Sequence, residues 1–237
     1  MSRTPELAAV TLDVGGVLTL PPVLDVLASH GLTVAPDELL VAHHRGVAVE
    51  DRLLAASPGA PDTVGEARRA LFDEVAAACG ASGAAHRDVV DELTRIGTSG
   101  APWSVVVPGA LQVVGALAER GVRVAVVSNS DGTVEAQLVE LGICQVGDGP
   151  AGTVTAVVDS GIVGVRKPDP AIFDHALGPL GTAAANTAHV GDTVAFDVVA
   201  AERAGMVPVH FDATRTCEGD HLHVGSLDEL PGLLAGG

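Results

Sequence analysis

A chain of 237 residues can bury a full hydrophobic core without disulfide or metal staples, as one domain or one domain with a sizeable insertion. Its 13 basic and 30 acidic residues leave a formal net charge of −17, so nucleic acid and anionic membrane surfaces should be repelled rather than bound. Hydrophobic residues make up 47% but aromatics only 2%, with no tyrosine, so aliphatic side chains must close the interior.

The first element is a short apolar strand over 7–12, which runs into Asp13 and then Gly15-Gly16. The glycines allow a sharp turn and a close approach to something small, with Gly16 a candidate ligand contact. A carboxylate at a strand tip, with no bulk beyond it, is placed to attack or to hold a metal. Pro21-Pro22 then breaks the pattern, and 21–103 reads as helices near 23–30, 36–56, 62–79 and 84–96. Pro36-Asp37-Glu38 and Pro61-Asp62 look like helix starts, and Gly31, Gly80 and Gly97 like stops.

From Val105 the rhythm changes. A strand at 105–107 leads through Pro108-Gly109 to a helix ending near 120. Strands at 122–127, 154–158, 187–190 and 207–211 then alternate with helices at 133–141, 170–180 and 194–204. That alternation means βαβ units and a parallel sheet. The expected fold class is α/β: a Rossmann-like core from 1–20 and 104–237, interrupted by a helical block at 21–103. The terminal Ala235-Gly236-Gly237 is expected to fray.

Three later stretches bear comparison with Asp13. The strand ending in Ser128-Asn129-Ser130 can cradle a phosphate with its hydroxyl and helix N-terminal N–H groups, or simply cap a helix. Lys167, in Arg166-Lys167-Pro168-Asp169-Pro170, is the chain's only lysine beside twelve arginines, which suggests a position wanting a compact point charge. His189-Val190-Gly191-Asp192 ends another strand, with Asp197 in the following helical turn, and two carboxylates there can face one hard cation. In a parallel sheet, ligands bind beyond the carboxyl ends of the strands, where Asp13, Ser128 and Asp192 all fall. Mg²⁺ and Lys167 together would balance Asp13, Asp192 and Asp197, making a neutral socket for a phosphate dianion.

On these four stretches, in this order and over nearly the whole chain, the sequence resembles the haloacid dehalogenase-like hydrolases. The resemblance implies that 21–103 is a cap, that Asp13 is the nucleophile forming an aspartyl-phosphate, and that Asp13, the Gly15 carbonyl, Asp192 and Asp197 hold Mg²⁺. It implies that Ser128, Asn129 and Lys167 bind the phosphoryl oxygens. A small phosphorylated metabolite, possibly a sugar phosphate, is the implied substrate.

One departure matters. Phosphatases of that family carry a second Asp two residues after the nucleophile as general acid, and this chain has Gly15 there. Such catalysis is worth ~10²–10⁴-fold, so the leaving group either needs little protonation or is served from the cap. His43, His44 and Arg45 are the cap candidates, against a plain solvated helix face. Dehalogenases also lack the second Asp but need no metal and use a tyrosine. Phosphonate cleavage needs a cap lysine, absent here. A catalytically weak phosphometabolite-binding or regulatory protein is the reading from another class.

Lesser signals complete the reading. Cys79, Cys144 and Cys217 are scattered with no CxxC, which fits free thiols and, with no leader or span in view, a cytoplasmic protein. A monomer or dimer is expected, since nothing suggests a large obligate interface. Cys217, Asp220, His221 and His223 have zinc-ligand chemistry, but with no second half of a site nearby in sequence they read as a surface turn before the last strand. Trp103 either lines the active-site mouth or packs the hinge, and packing is preferred.

Overall fold

Strand β1 (Ala9–Leu12) is buried at every residue, and the computed structural model places it in the interior of a six-stranded sheet. Residues 7–57, 63–98 and 103–234 are described. The chain divides into two compact units, Met1–Leu18 with Pro108–Gly237, and Thr19–Val107.

In chain order the second unit follows residue 18. Strand β2 (Thr19–Leu20) pairs antiparallel with β3 (Val105–Val106), so the two ends of this unit are hydrogen-bonded to each other. Between them lie α1 (Val23–Ser29), α2 (Pro36–Ala56), α3 (Thr63–Ala78) and α4 (Gly83–Thr98). Pro36 opens α2 with Asp37 and Glu38 in its first turn, where acids complement the positive end of the helix dipole. The proposed start at Pro61-Asp62 and the terminal 235–237 fall outside the described residues. Gly97 is no stop: it lies inside α4, where an added Cβ would sit 2.9 Å from Phe72 of α3. Its smallness serves close helix packing.

The first unit is an α/β sheet. After α5 (Ala110–Ala118) come β4 (Arg123–Ser128), α6 (Val134–Glu140), β5 (Cys144–Val146), β6 (Gly152–Val154), β7 (Val157–Asp159) and the short α7 (Ser160–Val163). A 3₁₀ turn at Pro170–Phe173 leads into α8 (Asp174–Leu180), then β8 (Thr187–Gly191), α9 (Val199–Arg203), β9 (Val207–Phe211), β10 (Leu222–Val224) and α10 (Leu230–Leu234). The order across the sheet is β10-β9-β8-β1-β4-β7, every pairing parallel. β1 and β8 are neighbours although far apart in sequence, because the chain reverses direction across the sheet there. That is a topological switch point, beyond whose carboxyl ends ligands bind.

The strand expected at 154–158 is in fact two. β6 leaves the main sheet to pair with β5, and β7 pairs with β4. The Val-Thr-Ala-Val-Val run at 154–158 hid the break, since it has no Gly or Pro and gives no clue to which partner each part takes. The helix expected at 194–204 begins with a wide π-type turn over Val194–Val198, in which Thr193 O accepts from Val198 N at 3.2 Å. One sheet face carries Ala9, Ala125 and Val127 under Ala176, Ala200 and Ala201, with Phe173 filling the remaining gap. Small side chains there let helices approach closely. Val10, Leu12, Val124 and Val126, of opposite parity, are also buried, so both faces are covered.

Candidate active site

Asp13 follows β1 directly, its N–H donating to Val190 O of β8 at 2.9 Å. Asp192 follows β8, and Ser128 ends β4, so three adjacent parallel strands deliver their last residues to one edge. Gly16, at φ +74°, completes the turn after Gly15, and a Cβ there would fall 1.7 Å from Asp192 Oδ2. Only glycine lets the two loops touch this closely. Gly191 plays the same part for Asp197, whose Cγ would lie 2.1 Å from an added Cβ.

Lys167 is 2% exposed and joins the two ends of this edge. Its Nζ lies 2.8 Å from Asp13 Oδ1 and donates to Asp197 Oδ1 at 2.6 Å and to Val127 O at 3.1 Å. Burial works against its charge, but Asp13 and Asp197 outweigh that and hold the ammonium well above its usual range. Burial raises Asp13 above the usual carboxylate range, with Asp197 adding to the rise and Lys167 opposing it. Asp197 goes the other way. Burial opposes its charge, yet Lys167 and His189 prevail and keep it ionised.

Asp197 is saturated by protein donors. Besides Lys167, His189 Nε2 meets Oδ1 at 3.1 Å, while Thr193 N and Oγ1 donate to Oδ2 at 3.1 and 2.5 Å. The π-type turn swings its carboxylate back over the strand end to make these bonds. Asn129 is similarly committed: its Nδ2 donates to Lys167 O at 2.9 Å and its Oδ1 accepts from Lys167 N at 2.8 Å. That amide clamp fixes the backbone from which Lys167 reaches inward.

Sequence reasoning passed over several supports. His189, fully buried, bridges Asp197 to Thr11 Oγ1 at 2.8 Å and meets Phe173 edge-on. Burial lowers its pKa, so the ring is neutral, with Nε2–H donating to Asp197 and Nδ1 accepting from Thr11. Asp159 accepts from Gly132 N, Val134 N and Gly161 N at 3.0, 3.2 and 2.9 Å, fixing the loop beyond Ser128. A strand histidine and a strand-end carboxylate carry no spacing signal, and only strand register reveals them.

His43, His44 and Arg45 lie on α2 of the other unit. The solvated-face reading holds for Arg45 alone: His43 is 1% and His44 3% exposed. His43 meets Trp103 edge-on at 5.8 Å, and the Arg68 guanidinium stands 6.0 Å over the same ring, so Trp103 packs within its own unit. Burial, then His44 and Arg68, lower His43 well below its ordinary pKa.

One oxygen each of Asp13, Asp192 and Asp197 lies within 4.8 Å of the others. Three carboxylates gather beside one ammonium that pairs with two of them, and the donors are all hard oxygens. That set suits a divalent cation such as Mg²⁺ in both charge and chemistry. Among the described residues no helix is long and apolar enough to cross a membrane.

Known proteins share the family and the fold. The chain is similar to phosphoglycolate phosphatase of Rhodospirillum rubrum, 41% identical over 105 residues, which is 44% of this chain and 40% of that relative, less than half its length. A HAD phosphatase structure from Thermococcus onnurineus shares the fold at TM-score 0.58 and 17% identity, covering 97% of this chain and 99% of its own. A 2-haloacid dehalogenase from Pseudomonas syringae pv. Tomato does so at TM-score 0.55 and 22% identity, covering 97% and 98%. The family model of the haloacid dehalogenase-like hydrolases matches residues 7–205, most of the chain and every loop of this edge, and to that family of hydrolases the chain belongs.

Proposed function

We propose that the chain is a Mg²⁺-dependent phosphatase of a small phosphorylated metabolite. The observation that carries this reading is the convergence of Asp13, Asp192 and Asp197 on one point, with Lys167 2.8 Å from Asp13. Asp13, Asp192 and the Gly15 carbonyl would hold the ion, which when bound offsets the negative charge of substrate and carboxylates. Asp197 supports them from behind, since its own oxygens are spent on Lys167, His189 and Thr193.

Asp13 attacks phosphorus in line, forming an O–P bond as the bond to the leaving oxygen breaks. Lys167 and Ser128 bind the equatorial oxygens, and Asn129 acts by holding the Lys167 main chain. Water then attacks the aspartyl-phosphate, releasing inorganic phosphate and restoring the carboxylate. No side chain at Gly15 can protonate the leaving oxygen, and a neutral buried His43 is a poor acid. The substrate therefore offers a leaving group that departs with little help. Sugar 1-phosphates fit, and the similarity to a phosphoglycolate phosphatase adds phosphorylated hydroxy acids to the panel.

Turnover of p-nitrophenyl phosphate tests this, because its leaving group needs no acid. Activity should require Mg²⁺, vanish with EDTA, and fall by on the order of 10³-fold or more in Asp13→Asn. Metal-independent halide release from 2-haloacids would favour a dehalogenase, and tight metabolite binding without turnover would favour a binding protein.

A further inference from the structure

Beyond the edge just described, β9 and β10 bring together a second set of ligand-type side chains. The parallel register pairs His223 directly with His210, so the two imidazoles leave the sheet side by side. His221, two residues before His223, shares that face. Cys217 arrives from the loop between the strands, and one ligand atom from each of the four lies within 4.8 Å of all the others. His210 supplies the second half that the sequence around 217–223 lacked.

Individual distances resemble the edges of a filled tetrahedron. His221 Nε2 is 3.4 Å from His210 Nδ1 and 3.6 Å from Cys217 Sγ. Zinc bonds of about 2.0–2.1 Å to nitrogen and 2.3 Å to sulfur would set neighbouring ligand atoms about 3.3–3.6 Å apart.

The surroundings are arranged as a metal's outer shell would be. His210 Nε2 donates to Asp192 O at 2.9 Å, which fixes the tautomer and leaves Nδ1 as a lone pair toward His221. His223 Nε2 likewise donates to Gly219 O at 3.0 Å. Gly219 itself must be small, because a Cβ would fall 2.3 Å from the His221 ring. Asp212 holds the loop: its carboxylate accepts from Thr214 N, Thr216 N and Cys217 N at 2.9, 2.8 and 2.9 Å, and so aims the thiol before any ion arrives. His210 is buried while the other three are half-buried, which leaves a way in.

We propose that His210, Cys217, His221 and His223 form a four-ligand site for Zn²⁺. Three imidazoles and a thiolate select a borderline-soft ion over Mg²⁺, and four protein ligands close the site to substrate. It is structural in kind, clamping the 212–224 loop, and the His210 bond to the Asp192 carbonyl links it to the acidic cluster.

The test is Co²⁺ titration of the tag-free, chelator-stripped full chain, followed by Zn²⁺. One Co²⁺ per chain should give intense visible bands of tetrahedral cobalt with a near-ultraviolet thiolate band, and Zn²⁺ should bleach both. Cys217→Ser should abolish the thiolate band, and His221→Ala should weaken binding by more than about 100-fold. Asp212→Asn, acting through the loop, should weaken it about 10–100-fold. Asp13→Asn should leave the spectrum unchanged. With Mg²⁺ in excess to fill the carboxylate cluster, weak octahedral bands alone from the wild-type chain, readable before any variant is made, would overturn the assignment, as would tetrahedral bands indifferent to both ligand substitutions. No turnover is read, so the phosphatase reading can fail without touching this result.

Discussion

Lys167 concentrates the residue-scale physics of the site. Nearly all of its side chain is buried, and both acidic neighbours depend on it for charge balance. Removing one partner of a buried pair costs about 3–5 kcal/mol, because the remaining charge stays desolvated. Lys167→Met should therefore lose stability of that order in urea unfolding without Mg²⁺, whereas an exposed pair such as Arg69 with Asp91 should give under about 1 kcal/mol. A loss below 1 kcal/mol for Lys167→Met would mean that Asp13 and Asp197 are not held by it. Rarity singled the residue out, but chance composition explains a lone lysine as readily, and only the company of the other three stretches gave it a role. That it shares Asp197 with His189 was not legible, since the alignment of His189 beside Thr11 comes from β1–β8 register.

At the scale of elements, the loop after β9 is held by one carboxylate. Burial alone would raise the Asp212 pKa, but its bonds to Thr214, Thr216 and Cys217 outweigh this and pull it down to about 2. An unfolded aspartate titrates near 3.9, so the folded state binds its proton later. The contribution is thus fully present above about pH 4 and is lost as pH falls toward about 2. Asp212→Asn should cost about 1–2 kcal/mol at pH 7. The gap to wild type, followed by urea midpoints, should narrow below pH 4, and a gap constant across that range would contradict the account. Elements with strong signals were readable in advance: α2 from its Pro36 start, and β1, β4 and β8 from apolar runs closed by polar tips. Short strands such as β2, β5 and β6 escaped because two or three residues carry no periodicity. The fourth ligand at His210 escaped because strand pairing, not chain proximity, brings it to His223.

For the whole molecule, a net charge of −17 opposes compactness through self-repulsion. Raising NaCl from about 0.05 to 0.5 M shortens the Debye length from roughly 14 to 4 Å and should raise the Tm by a few degrees. Mg²⁺ at matched ionic strength should add a further rise through mass action, about 2.7 kcal/mol at one hundred times its Kd. Asp192→Asn should remove the Mg²⁺-specific part and keep the salt part. An equal response to both salts would mean that the acidic cluster holds no ion.

A chain with one ε-amino group, sealed between two carboxylates and a strand carbonyl, has a single address for any lysine-directed chemistry. Acylating reagents and lysine-modifying enzymes meet that amine only when the edge of the sheet opens. Its labelling rate is then a clock for local opening around a buried charge that two carboxylates share.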